Sequence, residues 1–410
     1  MPTLQEWQDA LTTVKRISSD ASQQLANDVS ALPASKSFRG RPKQAQPPQI
    51  IPPRAIDLTA SDLLLALGKI TTPRVQNLVD LSNLWAYFRY VWAFEPESFY
   101  TNLRLSQDAT EIDSHQKTIM SDDMGIGFTA YVMESFYDAR SATDVTVALR
   151  NQLIPGLRSQ YSTSPDYLFR DGQGNYFVVE CKGTRQSRKP MLTQLHRGLE
   201  QVPSLVFPLR QQQPVRLVIG ARLARRSIEV YIVDPPAEED KFSGKSGKNT
   251  KLYEVKDEKI FNQDVRSLQR ANLFLFAGVT GKAIDAFPHE EEKEKLQRGT
   301  IVNEPPTRVR SVELEHEFVG TRQPIKFSTG SERVSVFQGV SARVYHDIDE
   351  NDVTSAERAG FDVFQRAQSI SREQNRREAS STVISDVTRR SLRVDVFSKD
   401  GSMMRIEVEE

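Results

Sequence analysis

The segment that most constrains the fold of this chain is SPDYLFRDGQGNYFVVECKG, residues 164–183. Two runs rich in aromatic and aliphatic residues flank DGQGN, and the Gly, Asp and Asn residues of that pentapeptide favour a tight turn. The pattern therefore predicts a β-hairpin. Its second strand, Tyr176–Lys182, is apolar enough to be buried, yet it carries Glu180 and Lys182. The segment thus raises the question of why a carboxylate and an ammonium group stand in so apolar a strand.

Strand geometry indicates which charged side chains of the hairpin lie together. Side chains alternate between the two faces of a strand, so Glu180 and Lys182 share one face. Asp166 stands at the far end of the first predicted strand. Pairing of the strands about the turn places Asp166 close to Glu180 or Lys182. The sequence therefore predicts two carboxylates and one amine on a single face of the hairpin.

Two carboxylates and an amine suit the metal-assisted hydrolysis of a phosphodiester. Paired carboxylates hold a hard cation such as Mg²⁺, which keeps water in its remaining positions. The cation acidifies a bound water and offsets the negative charge of the transition state. Lys182 can orient or deprotonate that water, or place positive charge beside the phosphorus. The main-chain carbonyl of Cys181 can be a further metal ligand, because that role needs no particular side chain.

The residues Pro165 and Asp166, followed by Glu180-x-Lys182 on the next strand, resemble the PD-(D/E)XK nuclease superfamily, also called restriction-endonuclease-like. The apolar FVV before the glutamate, the glycine after the lysine and the order helix, hairpin, helix, strands add to the resemblance. It covers residues 125–235 and does not extend to the N-terminal arm or the C-terminal part. Such families have a central mixed β-sheet flanked by helices, and they cut or bind DNA or RNA with Mg²⁺ or Mn²⁺.

The resemblance implies a metal-dependent endonuclease, with DNA rather than RNA as its substrate and a 5′-phosphate on its product. Asp166 and Glu180 would bind Mg²⁺ or Mn²⁺, and Lys182 would act on the water or the phosphate. Related families often supply another acid from the helix before the hairpin. Glu134 stands at a suitable place for a metal ligand, with an ordinary surface glutamate as the alternative. Restriction or anti-phage defence is the expected setting.

Lysine and arginine concentrate just after the hairpin. Between Lys182 and Arg226 there are ten basic residues and one acid, Glu200, in a chain whose formal net charge is zero. Such a local concentration predicts contacts with phosphates. Some related nucleases also carry a glutamine on the helix after the lysine. The residues expected to bind nucleic acid are Arg185, Arg188, Lys189, Gln194, Arg197 and Gln201.

A second acidic group precedes the predicted helix at 125–140. This group could hold a metal ion, but a solvated loop is the preferred interpretation. Its members are Asp108, Glu111, Asp113, Asp122 and Asp123. The five histidines show no spacing typical of metal ligands.

The hydrophobic pattern divides the 410-residue chain into three parts. Residues 1–57 are predicted to form an N-terminal helix followed by a basic linker. The prolines of the linker segment exclude a helix interior or a central strand there. Residues 58–290 are predicted to form the nuclease-like domain with a helical front part. Residues 305–410 are predicted to be a separate C-terminal α+β accessory unit. The predicted fold class is therefore α/β (α+β), a central mixed sheet flanked by helices with these two extensions.

Composition excludes several other classes of protein. Cys181 is the only cysteine, so the chain has neither a disulfide framework nor a thiolate zinc site. No apolar run approaches the length of a membrane span, and the N-terminus lacks the apolar core of a signal peptide. The sequence therefore predicts a cytoplasmic protein without a membrane partner.

Two alternatives to a nuclease stay open on the sequence alone. The same fold can hold nucleic acid or a partner protein without cutting, or the hairpin can be ordinary sheet in an adaptor whose apolar helices bind a partner. A homodimer fits the nuclease interpretation, because cutting two strands usually needs two sites. The C-terminal unit is a candidate surface for a partner protein.

Overall fold

The computed structural model describes residues 4–33, 44–71, 85–96, 99–150, 164–202, 205–206, 213–235, 253–255, 257–288, 293–294, 306–326, 333–349, 353–375, 383–388 and 391–409. Contacts divide the chain into two compact units. The mixed-sheet unit consists of Ile17–Ile56 and Ile112–Arg266. The antiparallel-sheet unit consists of Met1–Arg16, Asp57–Glu111 and Ser267–Glu410.

The helices and strands follow one another in chain order. The helices are α1 (Leu4–Thr12), α2 (Gln23–Ser30), α3 (Ala60–Thr71), α4 (Trp85–Tyr90), α5 (Gln107–Glu111), α6 (Ser114–Phe136), α7 (Val145–Arg150), α8 (Arg188–Gln201), α9 (Glu258–Phe276), α10 (Thr280–Ala286), α11 (Ala342–Asp349) and α12 (Val353–Asn375). The strands are β1 (Lys15–Asp20), β2 (Ala55–Leu58), β3 (Ala139–Asp144), β4 (Tyr167–Asp171), β5 (Tyr176–Thr184), β6 (Leu205–Val206), β7 (Val215–Ala224), β8 (Ser227–Val233), β9 (Tyr253–Glu254), β10 (Thr307–Ser311), β11 (His316–Lys326), β12 (Arg333–Ser341), β13 (Val383–Val387), β14 (Ser391–Phe397) and β15 (Ser402–Glu409).

The mixed-sheet unit is built on seven strands in the order β2-β1-β8-β7-β5-β4-β3. β1 runs parallel to β8 and β5 runs parallel to β7, whereas β3, β4 and β5 pair antiparallel. Parallel strands are usually covered on both faces, and β5 and β7 accordingly read as nearly continuous apolar runs. The predicted class, a mixed sheet with helices, is confirmed at this level.

Helices α6 and α8 cover opposite faces of β5. The Cys181 thiol contacts Thr129 of α6. On the other face, a side chain at Gly198 of α8 would lie 3.3 Å from the Cγ atom of Glu180. Because neighbouring residues of a strand point to opposite faces, these two contacts fix the two helices on either side of the sheet.

The antiparallel-sheet unit contains six strands in the order β10-β11-β12-β15-β14-β13. Val363 and Ala367 of α12 pack with Phe337 and Phe397 on one face of this sheet. α1 and α3 contact β14. The side chains of Leu392, Val394 and Val396, which alternate with Phe397 along β14, are also buried. The last hairpin turns at Gly401, whose φ of 81° suits glycine, as its Asp-Gly sequence predicts.

The N-terminal prediction is wrong in two respects. Residues 15–20, expected to continue one helix, form β1, because they pair with residues 229–231 of β8. The proline-rich segment is an ordered part of the mixed-sheet unit over residues 44–56, where main-chain bonds join Gln46 to Asp234 and Ser19 to Arg54. Residues 34–43 of the expected linker lie outside the described residues.

Three further segments differ from their predictions. The acidic group expected in a solvated loop lies on α5, at the N-cap of α6 and in α6 itself. Asp113 caps α6 by accepting hydrogen bonds from the main-chain amides of His115 and Gln116. The sequence pattern predicts strands over residues 143–152 and 333–348, but residues 145–150 and 342–349 are helical. The apolar pattern of residues 75–94 predicts one long helix, of which residues 75–84 lie outside the described part.

The two compact units also divide the chain differently from the three expected parts. Asp57–Glu111, expected with the hairpin, groups with Ser267–Glu410. Residues 305–410 therefore do not stand alone, since they share a unit with α1 and α3. Within the described residues, no helix is long and apolar enough to cross a membrane.

Candidate active site

The hairpin register places the two acids of the sequence motif side by side. Tyr167 pairs with Val179 across β4 and β5, so the preceding residue, Asp166, lies opposite Glu180. The main-chain N–H of Asp166 donates to Glu180 Oε2 at 3.1 Å. The main-chain N–H of Cys181 donates to Asp166 Oδ2 at 2.8 Å. The strands thus hold both carboxylates through the backbone of their neighbours.

Lys182 lies on the same face as Glu180 and contacts it directly. Its ammonium group donates to Glu180 Oε1 and, at 3.0 Å, to Gln201 Oε1 at the end of α8. The Gln201 amide nitrogen lies 3.5 Å from the carbonyl oxygen of Ser164. The structure therefore brings together Asp166, Glu180 and Lys182, and it adds Gln201 as a second acceptor for the lysine.

Burial makes this pair of carboxylates electrostatically costly. Glu180 is completely buried, with 0% of its surface exposed. Burial and then the neighbouring Asp166 raise the pKa of Glu180 to about 8, while Lys182 opposes this shift. Burial also raises the pKa of Asp166, against the effects of Lys182 and the Cys181 amide. A buried acid and a half-buried acid, both of raised pKa, favour a proton or a cation between them.

The glycine after the lysine lets α6 approach the end of β5. A side chain at Gly183 would overlap the main-chain carbonyl of Ser121. One at Gly125 would lie 2.8 Å from the main-chain carbon of Lys182. This close packing carries Asp122 to the site, where burial and the neighbouring Asp123 raise its pKa.

Asp166, Lys182 and Asp122 line an open cleft of about 630 Å³ at the end of the sheet, whereas the completely buried Glu180 does not line it. On one side lie Asp122 and Ile126 of α6 together with Asp144 at the end of β3. On the other side lie Gln194, Arg197 and Gln201 of α8. One wall is therefore acidic and the other carries amides and a guanidinium group, with Asp166 and Lys182 also lining the cleft.

The other sequence-predicted site residues lie in different positions. Glu134 is twelve residues beyond Asp122 on α6, which corresponds to about 18 Å along the helix axis. It does not line the cleft. Arg188 is ion-paired with Asp28 at 2.8 Å and so has an acidic partner. Arg185 lies in the turn before α8, and Lys189 is the second residue of α8. Neither residue lines the cleft.

Sequence reasoning assigned one acid of the cleft, Asp122, to a solvated loop as its preferred interpretation, and it missed another, Asp144. Asp122 and Ile126 are four residues apart, so they share a face of α6. The sequence prediction began this helix at residue 125, whereas α6 begins after its N-cap, Asp113. A prediction with the earlier start would place both Asp122 and Ile126 on the helix. The sequence around Asp144 has no comparable signal. Its place at the cleft depends on the pairing of Asp144 with Tyr167 of β4, which is not visible in the local sequence.

The donor set at the hairpin fits a hard divalent cation. Among the described residues, no three His, Cys, Asp or Glu side chains are arranged to hold a metal ion. Mg²⁺, however, is often bound by only one or two carboxylates, with water in the other positions. Asp166 and Glu180 supply two such carboxylates, and burial is the main cause of the raised pKa of each, so a bound cation would stabilise their ionised forms.

Comparison of the chain with protein-family models, curated proteins and solved structures gives no match. Function therefore has to be inferred from the geometry and chemistry of the site.

Proposed function

We propose that this protein is a metal-dependent nuclease with a restriction-endonuclease-like mixed-sheet unit, and that its substrate is DNA rather than RNA. The observation that carries the proposal is the hairpin register. That register sets Asp166 opposite Glu180, with Lys182 on the same face and at the edge of an open cleft. Chemistry on a phosphodiester accounts for charges that an ordinary buried strand would not carry.

Asp166, Glu180 and the main-chain carbonyl of Cys181 would hold Mg²⁺ or Mn²⁺. The acid supplied by the helix before the hairpin is Asp122 in this proposal, because Asp122 lines the cleft and Glu134 does not. A divalent cation held by these groups would acidify a bound water and stabilise charge on the phosphoryl oxygens.

The remaining groups act on the substrate. Lys182 can orient the attacking water or donate to a phosphoryl oxygen, because its ammonium group lies beside the carboxylates. Arg197 is exposed on the α8 wall and suits contact with a phosphate. The acidic wall repels phosphates, so the nucleic-acid backbone would follow the α8 side.

The proposed setting is restriction or anti-phage defence in the cytoplasm. The support for it is architectural, since a second unit with its own six-stranded sheet accompanies the mixed sheet. That second unit is a candidate binding surface for a partner protein, and a homodimer would supply two sites for cutting two strands.

One observation favours a rival function, a protein of this fold that binds nucleic acid or a partner without cutting. Lys182 contacts the completely buried Glu180 directly, as it would in a buried ion pair of purely structural role. The two functions predict different results when Lys182 is replaced by alanine.

The test is incubation of the purified chain with plasmid, single-stranded DNA and RNA, each with Mg²⁺, Mn²⁺ or EDTA. We expect metal-dependent products carrying 5′-phosphates, strongest on DNA. Lys182→Ala should abolish cleavage and leave binding to DNA within about twofold. Binding without products under every condition would support the rival function, and neither binding nor products would reject both.

A further inference from the structure

We infer that Gln201 is the positioning residue of Lys182. In this role the Gln201 amide oxygen would keep its hydrogen bond to the ammonium group of Lys182 while Glu180 binds the cation. The inference rests on the proposed nuclease function, and it assigns a task to a side chain that the sequence placed only among the expected nucleic-acid contacts.

The contacts of Gln201 are those of a bridge. Its Oε1 atom accepts a hydrogen bond from Lys182 Nζ at 3.0 Å. Its amide nitrogen lies 3.5 Å from the carbonyl oxygen of Ser164, two residues before Asp166. Gln201 is the last residue of α8, which is packed through Leu195 and Leu199 in the core of the unit. The bridge is therefore anchored on α8 and joins Lys182 to the chain segment before Asp166.

A cation at Glu180 would weaken the contact of that acid with Lys182. One oxygen of Glu180 accepts from Lys182 and the other accepts from the main-chain amide of Asp166. Each oxygen has two lone pairs, so a cation could bind without removing either donor. Its charge would, however, repel the ammonium group of Lys182 and not the neutral amide of Asp166, which the strand also fixes. Gln201 would then be the acceptor that still holds the ammonium group.

A lysine repelled from Glu180 would be only partly solvated at this position. Only 19% of the Lys182 side chain is exposed. An ammonium group without a partner is unfavourable in such surroundings. Gln201 already accepts from it, and its amide is neutral. A carboxylate at the same place would add negative charge where the phosphate must approach.

The experiment is a double-mutant cycle on Mn²⁺ affinity, measured by calorimetry on the full chain. Gln201→Leu removes the acceptor but keeps the shape of the side chain. We expect it to weaken Mn²⁺ binding about tenfold, because a hydrogen bond to a charged group is lost. In a Lys182→Ala background the same change should alter Mn²⁺ affinity less than twofold, since there is no ammonium group left to hold.

Two further variants keep the experiment decisive. Gln201→Glu retains an acceptor and should hold Mn²⁺ affinity within about threefold of the native protein while reducing cleavage, because its charge repels phosphate. Gln173→Leu on the exposed hairpin turn is the matched control and should change neither quantity. If Gln201→Leu melts near room temperature, Gln201→Ala, which also removes the acceptor, replaces it in the cycle.

The outcomes separate this inference from the proposed function. If the native protein binds Mn²⁺ and cuts DNA, but Gln201→Leu weakens Mn²⁺ binding equally with and without Lys182, Gln201 has only a structural role and the inference is overturned. If the native protein neither binds Mn²⁺ nor cuts, the proposed function fails and the inference fails with it.

Discussion

Asp166 and Glu180 lie opposite one another across the β4–β5 pair, and the main-chain N–H of Asp166 donates to Glu180 Oε2 at 3.1 Å. Burial raises the pKa of both carboxyl groups; Asp166 adds to the shift of Glu180, and Lys182 opposes both shifts. The pair therefore destabilises the metal-free fold when both acids are ionised. Opposing effects on activity and on stability follow from this relationship.

Asp166→Asn should raise the melting temperature of the metal-free protein and abolish cleavage. The amide removes the negative charge beside Glu180, and its oxygen can still accept from the Cys181 amide. Cleavage should fall by at least about a hundredfold, because a bound cation supplies several kcal/mol of transition-state stabilisation. Calorimetric melting and plasmid cleavage measure the two effects. A variant that melts lower and still cuts at the native rate would contradict the proposed role.

The helical acid can be identified by comparing two variants of α6. Asp122 lines the cleft, whereas Glu134 lies about 18 Å further along the helix axis. Asp122→Asn should reduce metal-dependent cleavage about tenfold or more, while Glu134→Gln should leave it within about twofold. The readout is initial cleavage rate against Mg²⁺ concentration. The reverse order of effects would restore Glu134 as the acid that α6 contributes.

The pH dependence of stability should follow Glu180. Its pKa in the folded protein is raised from 4.5 to about 8, so between these values the folded state binds more protons than the unfolded state. The free energy of unfolding without metal should therefore fall as pH rises from 4.5 to about 8, and level off above. Mn²⁺ affinity should rise over the same interval, since binding requires the carboxylate.

Thermal melts between pH 5 and 9, with and without Mn²⁺, test this dependence. Glu180→Gln should flatten the slope of the metal-free protein, because the amide does not titrate. A slope that survives the substitution unchanged would assign the titration to another group.

Gly183→Ala should disrupt the site through α6. The added methyl group would overlap the Ser121 carbonyl, and backbone cannot move as cheaply as a side chain. We expect a loss of about 1 to 3 kcal/mol in the free energy of unfolding, together with reduced cleavage. Gly172→Ala is the control, since its methyl group meets only the guanidinium end of Arg140. Equal losses in the two variants would contradict the close packing of α6 on β5.

Arg197 and Arg188 should contribute differently to DNA binding although both lie on α8. Arg197 is exposed in the cleft wall, whereas Arg188 is paired with Asp28 at 2.8 Å and lies 3.8 Å from Asp20. Arg197→Ala should lower by about 1 the slope of log affinity against log salt, and Arg188→Ala should leave that slope nearly unchanged. Fluorescence anisotropy measures this binding. All variants carry Lys182→Ala as well, so that no DNA is cut during the titration.

The sequence predicted the hairpin because its signals are local. The turn residues and the alternation of side chains depend on a few neighbouring positions, and they were sufficient to place Asp166 beside Glu180. The contact of Gln201 with Lys182 depends on where α8 packs, and the approach of Asp122 depends on Gly183. Neither can be read from spacing alone.

Distant pairing explains the errors at the N-terminus. Ile17 in Lys15–Asp20 continues the helical spacing of the apolar residues of α1, and the pairing with the parallel strand β8, some two hundred residues later, makes this segment a strand. The same limitation applies to the division of the chain, because the grouping of Asp57–Glu111 with Ser267–Glu410 has no local signature.

The contact of α1 and α3 with β14 bears on how the protein folds as it is made. The ribosome completes α1 roughly 380 residues before it begins β14, an interval of about 20 to 75 s at ordinary rates of synthesis. The mixed sheet, whose last long strand ends at Val233, emerges well within that interval. We therefore expect the mixed sheet to fold first on the nascent chain. Until β14 is made, the surfaces of α1 and α3 that contact it would stay exposed, a state that chaperones are suited to protect.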